Sequence, residues 1–270
     1  MSKKYKYWEI IKYWQALNIN DIAKLATILN NFQILFAYNS CIIEGNNIDY
    51  YNVREIFENG KVINFTGDLK TLYEITSQKD CAAYLLDKII SKESLSIEFI
   101  KKIHKLLTKG TYDEIRYNKN MERPGEYKKH DYVTGKNEVG SNVENVAGDM
   151  QDLVTDVNNI STNDSENVIK IATYFHNVLE EIYHFADCNG RLDRTLVNYI
   201  LMTHDLPPII IYNEDKKYHC AALEKFDEEQ DLASMVEFFK YEIEKTWKVT
   251  LDNCHNVKKV TSKLENYLNN

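Results

Sequence analysis

One short stretch of the sequence concentrates groups that could do chemistry. The segment EEIYHFADCNGRLDRTLVNYIL, residues 180–201, contains a histidine, acidic residues, an Asn-Gly pair and two arginines. Asn189 and Gly190 predict a turn directly before a helix that begins near Arg191. Free backbone N–H groups at a helix start, with the positive end of the helix dipole behind them, favour a bound anion. The segment therefore predicts an anion site at this turn.

The charged side chains of the segment suit a particular anion. Arg191 and Arg194 are three residues apart on the first helical turn, and the planar fork of a guanidinium matches a polyphosphate. Asp187 is a candidate ligand for Mg²⁺, because Mg²⁺ commonly takes one or two carboxylates plus substrate oxygens. The set predicts a cradle for a nucleoside triphosphate. It is not a Walker loop, since Gly-x-x-x-x-Gly-Lys-Ser/Thr is absent from the sequence.

A plainer interpretation of the same residues stays open at this point. An Asp-x-Asn-Gly turn followed by a helix with two arginines also occurs as a simple turn with a helix cap and surface ion pairs. His184 adds little by itself, because a lone histidine at the end of an apolar helix is more often packed or capping than catalytic. The segment alone thus fits a functional site and a structural turn.

The elements around this loop are predicted to be helices. Apolar residues at helical spacing predict a helix over 21–38 that continues to Glu44, where Gly45 favours its end. The same pattern predicts helices over 166–182 and 191–204, on the two sides of the loop. Further helices are predicted over 53–58, 68–91, 96–107, 143–160, 216–226 and 232–247, with a polar tail helix to residue 270.

The middle of the chain has a different character. Residues 108–140 contain turn formers and short β-prone pieces, which predict a long loop with one hairpin. An irregular segment of this length inside a helical protein is usually functional or mobile. We therefore expect one all-α domain with a short β-hairpin.

Composition excludes several classes of protein. The formal net charge of −8 argues against wrapping of a nucleic acid backbone. No run of about 18 apolar residues occurs and the N-terminus lacks a signal-peptide cleavage site, so we expect a cytoplasmic protein without a membrane span. The five cysteines are scattered, with no Cys-x-x-Cys spacing, which predicts free thiols.

The loop resembles the signature of the Fic family, His-Pro-Phe-x-Asp/Glu-Gly-Asn-Gly-Arg-x-x-Arg, within the stretch YHFADCNGRLDR. Two other stretches extend the resemblance. NSCIIEGNN resembles the inhibitory helix motif Ser/Thr-x-x-x-Glu-Gly/Asn through Ser40, Glu44 and Gly45. PGEYKK followed by YVTG is similar to the segment and flap before the core, with Lys128 where arginine is usual. The matching signature residues are Phe185, Asp187, Asn189, Gly190, Arg191 and Arg194.

The resemblance implies a fold and a domain division. It covers about residues 39–247 and implies the helical Fic fold with a short β-hairpin flap. It divides the chain into an N-terminal helical extension, a Fic domain that includes the inhibitory motif at 40–46, and a C-terminal tail helix. These parts correspond to residues 1–38, 39–248 and 249–270.

The resemblance also implies an activity. Fic proteins carry out AMPylation, the transfer of AMP from ATP to a hydroxyl of a target protein, with pyrophosphate leaving. It implies ATP and a protein substrate as partners, the substrate being another protein or the chain itself, together with a homodimer. The family distribution and an Asn-, Ile- and Lys-rich composition favour a bacterial source.

Individual roles follow from the matching positions. Asp187 would coordinate Mg²⁺, Asn189 and Gly190 would hold the region of the α- and β-phosphates, and Arg191 with Arg194 would neutralise the β- and γ-phosphates.

The resemblance gives the inhibitory motif a role as well. Glu44, supported by Ser40, would act as an inhibitor by pairing with Arg194 and keeping that arginine from the γ-phosphate.

The sequence departs from the family at the catalytic position. The family's histidine position holds Tyr183, and its proline position holds His184. A tyrosine with a pKa of about 10 is neutral at pH 7 and accepts a proton poorly, and loss of a positioned base costs about 10²- to 10⁴-fold in rate. Four interpretations stay open: His184 replaces the base, Tyr183 takes part itself, the protein is a silent ATP-binding regulator, or it is an interaction scaffold with a vestigial motif.

Overall fold

The regular structure of this chain is helical throughout the part that is described. The computed structural model describes residues 5–62, 65–132 and 140–268, with side chains up to residue 252, and contains no strand within these ranges. The predicted all-α class is confirmed. The helices are α1 (Tyr7–Ala16), α2 (Ile22–Ile43), α3 (Tyr50–Asn59), α4 (Leu69–Ile90), α5 (Ile97–Leu107), α6 (Val146–Asn159), α7 (Ser165–Ile182), α8 (Asn189–Thr203), α9 (Lys216–Glu229) and α10 (Ala233–Leu268).

Local sequence signals account for where these helices begin and end. Ser96 precedes α5, and its side chain accepts a hydrogen bond from the Phe99 N–H at 3.1 Å. Helix α2 ends at Glu44, as predicted, and Gly45 follows with a left-handed φ of 87° that glycine adopts without strain. Glu44 is therefore presented at the tip of a long helix.

The core holds the α7–α8 pair in the middle of the molecule. Almost the whole of α8 is buried, and both Phe175 of α7 and Leu196 of α8 are fully enclosed in the main apolar cluster. A second, smaller cluster joins the C-terminal half of α2 to α3 and α4. Its members are Ile34, Ala37, Cys41, Ile48, Val53, Ile56 and Ile75. The loop between α7 and α8 and the tip of α2 thus rest on rigid supports.

Both ends of the chain pack against the main core. Ile10 and Trp14 of α1 lie in it, and the ring of Trp14 packs edge-on against Trp247 at 5.0 Å between centroids. The division into residues 1–38, 39–248 and 249–270 stays a prediction. Helix α10 continues without a break through the expected start of the tail helix at residue 249, because no glycine or proline interrupts the sequence there.

The described part of the segment between α5 and α6 contains a single turn of π-helix, Ile115–Lys119, which is called the π-turn below. The predicted β-hairpin flap includes residues 133–139, which lie outside the described residues. The described part of the segment contains no strand and runs along the α7–α8 loop.

Two predictions from composition concern membranes and disulfides. Within the described residues, none of the helices combines the length and the apolar character that crossing a bilayer requires. The thiols of Cys41, Cys81, Cys188 and Cys220 are free, as predicted for these four cysteines.

Candidate functional site

The loop between α7 and α8 has its shape set by backbone geometry and one amide side chain. Tyr183 and Cys188 both adopt left-handed φ angles, 48° and 70°, which cost a non-glycine residue roughly 1–3 kcal/mol each. The Asn189 side chain accepts a hydrogen bond from the Phe185 N–H at 2.9 Å and donates one to the Phe185 carbonyl at 2.8 Å. Asn189 thus ties the start of α8 back across the loop.

A buried histidine on α5 packs against this loop and hydrogen-bonds to it. The ring of His104 stacks on Phe185 at 3.7 Å between centroids, and its Nε2 donates to the Asp187 carbonyl at 3.1 Å. Its Nδ1 accepts the Gly125 N–H at 2.8 Å, so the single ring proton lies on Nε2. Burial lowers the pKa of His104 to about 4, which keeps the ring neutral. Nothing in the local sequence singled out this residue.

The segment before α6 lines the other side of the loop. The Lys128 N–H donates to the His184 carbonyl at 3.0 Å, and the Ser141 N–H donates to the Ile182 carbonyl at 3.0 Å. The Lys128 ammonium lies 5.8 Å from the centre of the Tyr183 ring. Hydrogen bonds therefore join this segment to the loop between α7 and α8, residues 183–188, which is called the signature-like loop below.

The first turn of α8 meets the tip of α2. Arg194 donates from Nη2 to Glu44 Oε1 at 2.6 Å and from Nε to Ser40 Oγ at 3.0 Å. A Cβ atom built on Gly190 would lie 2.7 Å from the same Glu44 oxygen. The Glu44 carboxylate thus lies against the start of α8, at the place where a helix start offers its free N–H groups to an anion.

Glu44 is ionised in this position. Burial by itself would raise its pKa, but the charge and hydrogen bond of Arg194 outweigh burial and hold the pKa below its ordinary value. The Lys216 ammonium reinforces the end of α2 by donating to the Ile43 carbonyl at 2.7 Å. Because the pKa is lowered, the Glu44–Arg194 pair is complete at neutral pH and is lost only as the pH falls through that lowered pKa.

The second arginine of the turn is paired as well. Arg191 Nη2 lies 3.0 Å from Glu74 Oε1, and the two side chains are only 3% and 4% exposed. Glu74 Oε2 accepts a hydrogen bond from the Asn46 amide at 2.7 Å, just after the tip of α2. The Nε and Nη1 donors of Arg191 have no acceptor among the described residues. The sequence pattern did not point to Glu74, which lies in the second turn of the amphipathic helix α4.

Replacing Glu74 by alanine is expected to lower the free energy of unfolding by about 3–5 kcal/mol, because it leaves the Arg191 charge buried without its partner. Urea unfolding of Glu74→Ala beside Glu58→Ala measures this. Glu58 forms an exposed i, i+4 pair with Arg54 on α3, so the control is expected to change stability by about 0.5 kcal/mol or less. Equal effects of the two substitutions would contradict a structural role for Glu74.

Asp187 is surrounded by positive charge. Its Oδ2 lies 3.2 Å from the Lys70 ammonium and 3.3 Å from Arg116 Nη1, while Oδ1 accepts the N–H of Cys188 at 2.7 Å. Burial opposes its ionisation, but Arg116, then Lys70 and Arg191, outweigh burial and lower the pKa of Asp187. Asp187 is therefore an ionised carboxylate whose oxygens are already engaged.

This arrangement does not fit Mg²⁺ as the side chains lie. Mg²⁺ is bound through one or two carboxylates, but here two cations, Lys70 and Arg116, lie on the same oxygen of Asp187 and repel a further cation. Across the described part of the chain, no group of three or more His, Cys, Asp or Glu side chains is arranged to hold a metal ion. The Mg²⁺ assigned to Asp187 from the sequence stays a prediction.

The two candidate bases point to different places. The Tyr183 side chain is partly buried, and burial raises its pKa, while a hydrogen bond from the Asn189 side chain acts in the opposite direction. His184 is fully buried and packs against Phe185 at 4.4 Å between ring centroids. Burial lowers the pKa of His184 far below its ordinary value, and the nearby His104 and Lys128 lower it further. The structure thus places Tyr183 beside Asn189 at the start of α8 and turns His184 into the interior.

Comparisons with known proteins identify a family for part of the chain. The profile of the Fic/DOC family matches residues 94–201. Protein adenylyltransferase fic-1 of Caenorhabditis briggsae is 27% identical over 201 residues, covering 74% of this chain and 38% of that protein. Protein adenylyltransferase Fic of Drosophila persimilis is 27% identical over 212 residues, covering 77% and 39% respectively. The chain thus spans less than half of the length of these curated relatives.

Solved structures share the fold. A Fic domain containing signaling protein from Bacteroides thetaiotaomicron superposes with a TM-score of 0.76 at 22% identity, over 91% of this chain and 94% of that one. Fic-1 from C. elegans superposes with a TM-score of 0.73 at 22% identity, over 93% of this chain and 73% of that one. Residues 94–201 therefore form a Fic/DOC domain, and most of the chain shares the fold of these solved Fic structures.

Proposed function

We propose that this chain is a protein adenylyltransferase that transfers AMP from ATP to a hydroxyl group of a protein. The observation that carries the proposal is the anion site at the start of α8, where Arg194 and the first helical turn meet and where the Glu44 carboxylate now lies. A site that holds one anion so closely suits a phosphate. The relatives named protein adenylyltransferase support the same activity.

The proposed reaction requires positioning and charge neutralisation more than covalent chemistry from the protein. The hydroxyl oxygen of the target attacks the α-phosphorus of ATP, a new P–O bond forms, and the bond to pyrophosphate breaks. The hydroxyl proton leaves to a base or to water. Arg191 and Arg194 neutralise the charge that grows on the leaving pyrophosphate, while Asn189 keeps the loop in shape for binding.

We propose further that Glu44 restrains this activity. ATP and the Glu44 carboxylate compete for the Arg194 guanidinium, so a nucleotide gains this contact only when the tip of α2 gives way. Ser40 strengthens the restraint, because its hydroxyl and its carbonyl both accept hydrogen bonds from Arg194. The homodimer, the cytoplasmic location and the bacterial source stay predictions from the sequence.

One observation favours a second candidate function, a silent ATP-binding regulator. Tyr183 stands at the family's base position, and burial raises its pKa away from neutrality. A tyrosine that stays protonated cannot take the proton of the target hydroxyl efficiently. A regulator of this kind would bind ATP in the same cradle without releasing pyrophosphate.

Position-specific labelling of ATP tests the proposal. The Glu44→Gly protein is incubated with Mg²⁺ and ATP labelled at the α-phosphate, or in a parallel sample at the γ-phosphate, with and without a cell lysate. We expect label on protein from the α-position only, and loss of that label when Arg194→Gln is added. Binding of ATP without α-label would indicate the silent regulator. Absence of ATP binding would favour an interaction scaffold with a vestigial motif.

A further inference from the structure

Two positive side chains that do not belong to the signature-like loop converge on Asp187. Lys70 comes from the first turn of α4 and Arg116 from the π-turn between α5 and α6. Their nitrogens lie 3.2 Å and 3.3 Å from the same carboxylate oxygen, Oδ2. The Lys70 and Arg116 side chains are 37% and 29% exposed, so solvent or a ligand can reach both.

The backbone N–H group of each of these two residues is held by a nearby aspartate side chain. The Lys70 N–H donates to the side chain of Asp68, which caps α4, and the Arg116 N–H donates to Asp113 Oδ1 at 2.7 Å. Single turns of π-helix are rare, and those found as bulges inside α-helices often occur at functional sites. The backbones of Lys70 and Arg116 are therefore held in place, while their long, partly exposed side chains can turn toward a ligand.

The charges of the cluster balance as the side chains lie. Lys70, Arg116 and Arg191 face the carboxylates of Asp187, Glu74 and Asp113, the last of them 3.8 Å from Arg116. Pairing of Arg194 with Glu44 adds no net charge next to it. The Asp113 side chain is 59% exposed, so its pair with Arg116 is weak and Arg116 can exchange it for a phosphate oxygen.

We propose that Lys70 and Arg116 are phosphate ligands of the bound nucleotide and supply the positive charge beside Asp187 that the sequence assigned to Mg²⁺. Asp187 then acts as a positioning residue that aims the two cations at the phosphates. Lysine brings a compact charge on a flexible stem, and arginine brings a planar fork that can hold two phosphate oxygens. The inference rests on the proposed function, since it assumes that the nucleotide occupies this cradle.

Binding of ATP in the absence of divalent metal tests the inference. Isothermal titration calorimetry of ATP into the Glu44→Gly protein is carried out in excess EDTA and again with Mg²⁺. We expect the affinity in EDTA to lie within about tenfold of the affinity in Mg²⁺. Adding Lys70→Gln or Arg116→Gln is expected to lower the EDTA affinity by about 10- to 100-fold, because each loses a charge-assisted contact with phosphate. Lys225→Gln, which removes an exposed ion pair on α9, serves as the control and is expected to change nothing.

The Asp187→Asn variant separates a positioning residue from a metal ligand. We expect it to keep the EDTA affinity of its parent, because the amide oxygen still accepts hydrogen bonds from Lys70 and Arg116 while the negative charge beside the phosphates is removed. ATP binding that requires Mg²⁺, disappears in Asp187→Asn and ignores Lys70→Gln and Arg116→Gln would overturn the inference while leaving the proposed function intact. If the Glu44→Gly protein binds no ATP in either condition, the proposed function fails first and the inference with it.

Discussion

Replacing Tyr183 by histidine in the Glu44→Gly background is expected to raise the rate of AMP transfer by about 10²- to 10⁴-fold, the usual contribution of a positioned general base. Tyr183 is neutral at pH 7, since the ordinary pKa of tyrosine is about 10 and burial raises that of Tyr183 further, whereas a histidine with an ordinary pKa of about 6.5 accepts a proton there. The backbone at this position favours the change. Its φ of 48° is left-handed, a region in which histidine is found more often than most residues.

Single-turnover rates with α-labelled ATP measure this effect, and two companion variants identify which side chain acts in the natural protein. Tyr183→Phe removes only the hydroxyl, so loss of residual transfer in this variant would show that the tyrosine takes part. His184→Ala is expected to leave residual transfer unchanged, because His184 lies in the interior and not in the cradle. A Tyr183→His variant no faster than its parent would contradict the assignment of the base position.

Replacing Glu44 by glycine is expected to strengthen ATP binding by about 10²- to 10³-fold, comparable to the effect of one preorganised donor at a phosphate or oxyanion. The carboxylate now occupies the start of α8 and pairs with Arg194 at 2.6 Å. Its removal frees both the guanidinium and the N–H groups of the first turn for the γ-phosphate. Calorimetric titration of ATP into the wild-type and Glu44→Gly proteins measures the gain.

A matched substitution and a pH series sharpen this test. Glu58→Gly removes another helical glutamate that pairs with an arginine, but on the exposed face of α3, and it is expected to leave ATP binding unchanged. Because the pKa of Glu44 is lowered, its pair with Arg194 persists through the neutral range and breaks only in acid. A wild-type affinity that rises between about pH 8 and pH 6, in the ordinary titration range of histidine, would therefore argue against Glu44 as the inhibitor.

Much of the fold was predictable because its signals are local. Helical spacing of apolar residues predicted the long helices, and Gly45 predicted the end of α2 that presents Glu44. Helix α10 runs without interruption through the predicted start of the tail helix, because no residue there stops a helix. A helix boundary needs a specific residue, and its absence is easy to overlook when the composition becomes polar.

Sequence patterns predicted the helical class, the loop that begins α8 and the two arginines near the start of that helix, because each depends on residues only a few positions apart. The partners of those arginines became visible only in the folded chain. Glu74 pairs with Arg191, and both Lys70 and Arg116 pair with Asp187. These contacts join distant parts of the chain, since Lys70 and Asp187 are 117 positions apart. Packing also decided that His184 turns inward. It follows Tyr183, whose left-handed φ ends α7, and the direction of a side chain after such a residue depends on the neighbours that enclose it.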